Sequence, residues 1–206
     1  MMDMSKILSP STRIATKHNA VKTIFKSFVG GFIIGVACLV SSKYSHPELI
    51  FPVGLICIIY SNNLLYTGCV GHYALNKRNI YIILLGNLIG TILCTFCISI
   101  GNLDVINTIG QIKYSESLIT CFISSIFCGM LMCTATSLNS NKHFLCIFLC
   151  VAAFVAGGLD HSIANSFYLV IYKLDVNSIL RIVVYVVGNA VGAKMLYLSH
   201  SMKVNQ

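Results

Sequence analysis

The sequence predicts an all-α membrane protein: six transmembrane helices as two inverted three-helix repeats, with the second and fifth helices broken. Three observations lead there. Only 10% of the 206 residues are charged while 56% are hydrophobic, against roughly 25% charged in soluble domains. Uncharged apolar tracts run from Glu48 to Lys77, from Arg78 to Asp104 and from Glu116 to Lys142, each long enough for the roughly 20 residues that cross a bilayer as helix. Finally, GNLIG at Gly86 to Gly90 recurs as GNAVG at Gly188 to Gly192. A repeat with three spans per copy sends the second copy into the membrane upside down.

Taken in order, the elements begin with a polar leader, residues 1–25, carrying Lys6, Arg13, Lys17 and Lys22, with Lys26 just beyond. The first apolar segment starts only near Ser27, which argues against a cleaved signal peptide and for a cytoplasmic arm. Six segments come next: Ser27 to Ser42, Leu49 to Leu75, Ile80 to Ile100, Ser117 to Leu138, His143 to Tyr172 and Ile179 to Ser199. They form one channel domain over residues 26–200, with repeats at about 26–101 and 116–199, and residues 201–206 are a cytoplasmic tail. The net charge of +8 sits at span ends. With both termini inside, the inner face gathers the leader cations, Lys77, Arg78, Lys142, Lys194 and Lys203, and the outer face keeps Lys43, Lys113, Lys173 and Arg181, as the positive-inside rule asks. Topology thus accounts for the basicity without nucleic acid. Arg181 and Lys194 flank the last span and have stems long enough to snorkel. The Gly-Asn motifs have small-xxx-small spacing for close helix packing, and Asn87 and Asn189 are candidates to hold a loop or face a pore.

The middle span of each half carries polar groups at membrane depth. SNNLLYTGCVGH, from Ser61 to His72, and AGGLDHSIAN, from Ala156 to Asn165, both read as helix, loop, helix. Non-helical backbone inside a bilayer costs several kcal/mol per unpaired group unless protein or a water-filled cavity satisfies it, so the breaks are expected to line a path, with half-helix amino termini turned toward anions.

LLYTG and GLDHSIAN resemble the two loop motifs of the formate/nitrite transporters, pentameric channels for small monovalent anions with an aquaporin-like six-helix fold. Phe51, Pro52, Val53 and Gly54 match the start of that family's second helix, and the Gly-Asn motifs match its third and sixth. The resemblance implies that His161 is the central pore histidine, that Thr67 faces it, that Asn165 is a polar pore-side group and that Lys142 makes the site electropositive. It also implies apolar constrictions at Leu55, Leu65, Tyr66 and Phe154. Departures are Asp160 for the family's loop glutamate, Tyr66 and Leu159 for its loop phenylalanines, and Leu64 for an acidic residue. Asp160 is read as a partner of the loop's backbone amides, with direct proton relay as the alternative role.

The implied activity is passive or proton-linked transport of a small monovalent weak-acid anion, of the formate, nitrite or hydrosulfide class, by a homopentamer in the inner (plasma) membrane. Its partners are then the anion, a proton and the lipid bilayer, and no cofactor or metal is expected. His72, His143 and His200 fall near span ends and read as interfacial. The alternative is a membrane-embedded redox or metal-handling protein using Cys94, Cys97, Cys128, Cys133, Cys146 and Cys150. Against it, Cys94 and Cys97 are a lone CxxC. An enzyme is excluded by the lack of any phosphate-binding loop, HExxH motif or supported catalytic triad.

Overall fold

The computed structural model describes residues 20–72, 77–137 and 144–201. Lys142, His143, most of the leader and the tail lie outside the described residues. Those described are helical, without strands: α1 Ala20–Ser41, α2 Pro47–Ile50, α3 Pro52–Tyr60, α4 Tyr66–Cys69, α5 Lys77–Cys94 with a 3-10 extension over Thr95–Ile100, α6 Leu103–Ser115, α7 Leu118–Ser137, α8 Phe144–Ala156, α9 Ser162–Tyr172 and α10 Val176–Ser201. Among the described residues, four stretches are long and apolar enough to cross a membrane: Ala20–Ser41, Asn79–Ile100, Leu118–Thr136 and Val176–Ser199.

Two features differ from the sequence reading. The described part of the first helix extends back to Ala20, because the positions before Ser27 (AVKTIFK) hold no Gly or Pro to break it. Between the predicted third and fourth segments lies a further helix, α6, which Asn102 caps by accepting from the Val105 amide at 3.3 Å. After the first break, α4 is a single turn over Tyr66–Cys69; the predicted end of that segment at Leu75 lies outside the described residues.

The long helices pack in two pairs, α1 with α5 and α7 with α10, and glycine makes both pairings possible. A Cβ at Gly90 would strike the Phe28 carbonyl, and one at Gly192 the Ile126 carbonyl. Gly31 and Gly129 lie in the same way against the backbones of Asn87 and Asn189. Such backbone-to-backbone approach is how helices gain dispersion contacts where lipid is as apolar as the side chains.

The two interruptions are built alike. Helix α3 stops because Asn62 takes a left-handed conformation, φ 59°, and the Asn63 amide bonds back to the Ile58 carbonyl at 2.9 Å. Helix α8 stops at Gly158, φ 61°, with the Leu159 amide on the Phe154 carbonyl at 2.9 Å. Both are left-handed C-terminal caps that satisfy otherwise orphaned carbonyls. Beyond each cap the backbone extends, at Leu65 and at His161, before the next helical turn begins.

Candidate functional site

Two asparagines hold the extended segments at depth. Asn87 accepts from the Tyr66 amide at 2.7 Å and donates to the carbonyls of Leu64 (2.9 Å) and Ser27 (2.6 Å). Asn189 accepts from the Ser162 amide at 2.9 Å and donates to the carbonyls of Asp160 and Ser125, both at 2.8 Å. Each carboxamide therefore closes a break and ties it to a neighbouring helix. The asparagines hold loops; their polar atoms are spent on backbone. Asn189→Ala leaves three buried backbone groups without this partner, at roughly 1–3 kcal/mol each. The variant is expected to unfold several degrees lower than the parent in detergent, and an unchanged transition would show that the amide is dispensable.

The breaks meet at Thr67 and His161, both buried, with Thr67 Oγ1 2.9 Å from His161 Nε2. His161 is also the N-cap of α9: its Nδ1 accepts from the Ala164 amide at 3.2 Å. An Nδ1 that accepts carries no proton, so the neutral ring has its hydrogen on Nε2 and donates it to Thr67. The Phe154 ring stacks on the imidazole at 5.5 Å between centroids, and Phe51 meets Phe154 edge-on at 5.6 Å. Phe51 is absent from the constriction residues expected from sequence, although it stands one helical turn before Leu55.

On the far side of this aromatic pair lies a cavity of about 460 Å³ whose walls include Phe51, Phe154, Leu159, Asn165, Lys113 and Glu116. Leu55, Leu65 and Tyr66 are buried in the main core and do not line it; the Tyr66 hydroxyl donates to the Val186 carbonyl at 3.1 Å.

Asp160 is fully buried, and its partners differ from those expected. One carboxylate oxygen accepts from Asn165 Nδ2 at 2.6 Å and from Lys113 Nζ at 2.8 Å. The loop amides are not available to it, because Asn189 takes that of Ser162 and the His161 ring takes that of Ala164. Lys113 also reaches Glu116 at 3.1 Å and the Gly158 carbonyl at 2.7 Å. It is the lysine that the described residues bring to this loop. The sequence signal for it is faint: Ile106, Gly110 and Lys113, the buried residues of α6, are spaced four and three apart.

Arg181 does not snorkel. It is buried, and its guanidinium donates to the carbonyls of Glu116 (2.5 Å) and Lys113 (3.3 Å), with Cys121 Sγ at 3.4 Å. The unpaired carbonyls at the end of α6 draw a cation inward, as helix C-termini do. At the surface, Asp175 accepts from the Ser178 amide at 2.9 Å and from the Tyr114 hydroxyl at 2.8 Å and pairs with Lys173 at 3.2 Å. Those bonds, the amide's first, hold its carboxyl well below the usual range. His72 packs edge-on against Tyr197. None of the six cysteines considered for metal or redox chemistry forms a disulfide, and among the described residues no three of them come together.

Comparison with known proteins adds to this geometry. The family model described as Formate/nitrite transporter matches residues 4–200. A formate-nitrite transporter of Plasmodium malariae is 30% identical over 165 aligned positions, covering 66% of this chain and 52% of that protein. The nitrite transporter NirC of Salmonella typhimurium is 25% identical over 137 positions, covering 56% and 51%. The chain thus spans about half the length of these relatives. Among solved structures, an ion channel of the FNT family superposes with a TM-score of 0.78 at 20% identity, covering 93% of this chain and 94% of the other. A pentameric formate channel with formate bound gives 0.73 at 21%, covering 89% and 98%. At such identities the superpositions establish a shared fold.

Proposed function

The chain belongs to the formate/nitrite transporter family, and from that premise we propose that it carries a small monovalent weak-acid anion, of the formate, nitrite or hydrosulfide class, across the plasma membrane through a pore with His161 at its centre. The observation that carries the reading is the Thr67–His161 contact of 2.9 Å where the two breaks meet, roofed by Phe51 and Phe154.

A small anion is drawn into the cavity by the Lys113 ammonium. At the aromatic pair it must shed water, which penalises the charged form far more than the neutral acid. Proton uptake from vestibule water therefore becomes favourable as the anion advances, and the neutral acid crosses. His161 presents its Nε2–H as a donor at the waist, with Thr67 as the opposing hydroxyl; Asp160, itself held by Asn165, pairs with Lys113 at the mouth. Leu159 narrows the vestibule, while Leu55, Leu65 and Tyr66 pack in the buried core and do not line it.

The same asparagine stitch used twice supports two inverted halves, over about 26–101 and 116–199, in one six-span domain of residues 26–200. The arm of residues 1–25 and the tail of 201–206 are then cytoplasmic. A homopentamer in the bilayer is supported by the pentameric relative and by exposed apolar side chains such as Phe25, Phe96, Ile119 and Phe127. The test is a flux panel in proteoliposomes, with formate, nitrite, hydrosulfide, acetate and lactate at two outer pH values. Uptake of the small anions, faster on the acid side, is expected. No flux above protein-free vesicles, for any of them, would overturn the reading.

A further inference from the structure

Glu116 is a second carboxylate on the one ammonium that serves Asp160. Lys113 Nζ stands 2.8 Å from Asp160 and 3.1 Å from Glu116. The three side chains differ in their access to water: Asp160 is 0% exposed, Lys113 8% and Glu116 21%. Protons from the vestibule thus reach Glu116 more readily than Asp160. Every element around Glu116 adds a charged or titratable group. Besides Lys113 on α6 and Asp160 ahead of α9, Cys121 Sγ of α7 lies 3.8 Å from its second oxygen. From α10, Arg181 holds its carbonyl, and the Tyr185 hydroxyl bonds the Lys113 carbonyl at 3.2 Å.

The charges in this group balance as long as both acids are ionised: Lys113 and Arg181 against Asp160 and Glu116. We propose that Glu116 regulates anion capture by the vestibule: ionised, it cancels the attraction of Lys113, and protonated, it leaves Lys113 as the charged side chain on the cavity wall, with Asp160 and Arg181 buried behind it. The inference rests on the transport reading above and names a regulatory residue for the same site. Burial raises the Glu116 carboxyl above the usual range, with Lys113 opposing and Asp160 adding to the rise. Although burial works to discharge Lys113, Asp160 and Glu116 together keep it charged. As pH falls, Glu116 neutralises while Lys113 stays cationic. A unit charge several ångströms from an entering anion, in a partly screened site, changes its capture by roughly fivefold.

The experiment measures KM and maximum rate for formate in proteoliposomes at acid and neutral pH, for the parent, Glu116→Gln and Glu116→Asp. The parent is expected to show a KM about fivefold higher at neutral than at acid pH. Glu116→Gln keeps the low KM at both, and Glu116→Asp restores the shift. The maximum rate should remain pH-dependent in all three, because that dependence arises at the waist. A KM shift in Glu116→Gln equal to the parent's would overturn the inference while leaving transport intact. Absence of flux in the parent would overturn the transport reading instead. Formate-induced thermal stabilisation of the detergent-solubilised proteins needs no flux and should follow the same pattern; a parent response that does not change with pH would likewise refute the role of Glu116.

Discussion

His161→Asn is expected to fold normally and to lose proton-linked uptake by on the order of a hundredfold, the scale on which a single oriented donor at a developing charge acts. Asparagine is the informative replacement because of what His161 does besides face Thr67. It is the N-cap of α9 through its bond from the Ala164 amide, and asparagine is among the best N-caps. The cap survives, while the Nε2–H and the ring stacked on Phe154 are lost and the shorter amide stops short of Thr67. A normal thermal transition with uptake abolished would separate the waist from the scaffold. Proton-coupled flux at the parent's rate would remove His161 from the transport path.

Lys113→Met is expected to cost about 3–5 kcal/mol of stability, the penalty for stranding a buried charge when its partner is removed. Asp160 has no exposure with which to recover solvation, and Asn165 alone satisfies one of its oxygens. The double variant Lys113→Met with Asp160→Asn should regain most of the loss, since the neutral amide keeps an acceptor for Asn165 and leaves no charge uncompensated. Thermal unfolding in detergent decides between outcomes. If the single variant is as stable as the parent, Asp160 is not an ionised partner of Lys113; if the double variant is no better than the single, packing around the lysine stem matters more than charge.

These two residues also mark what the sequence makes legible. His161 and Thr67 stand out because serine, asparagine, glycine and histidine at bilayer depth contradict an unbroken helix, and a contradiction in a short window can be read without knowing the fold. The repeated Gly-Asn pair points to two matching contacts for the same reason, although not to the fact that the carboxamides bind loop backbone. Lys113 is different. Its helix lies between spans, its hydropathy resembles a connector, and its partner Asp160 is distant along the chain, so only the folded arrangement joins them. Arg181 escapes sequence reasoning by the same logic: a long cation at a span end is expected to seek water, unless carbonyls at another helix's end wait for it inside. Asp160 shows the converse, since its local amides are claimed by Asn189 and by the His161 ring.

The two breaks share their caps and their stitching but differ in the helix beyond. Tyr66–Cys69 is a single turn, whereas Ser162–Tyr172 runs for 11 residues. Aligned peptide dipoles sum along a helix, so among the described residues α9 brings the stronger positive helix end to the Thr67–His161 contact.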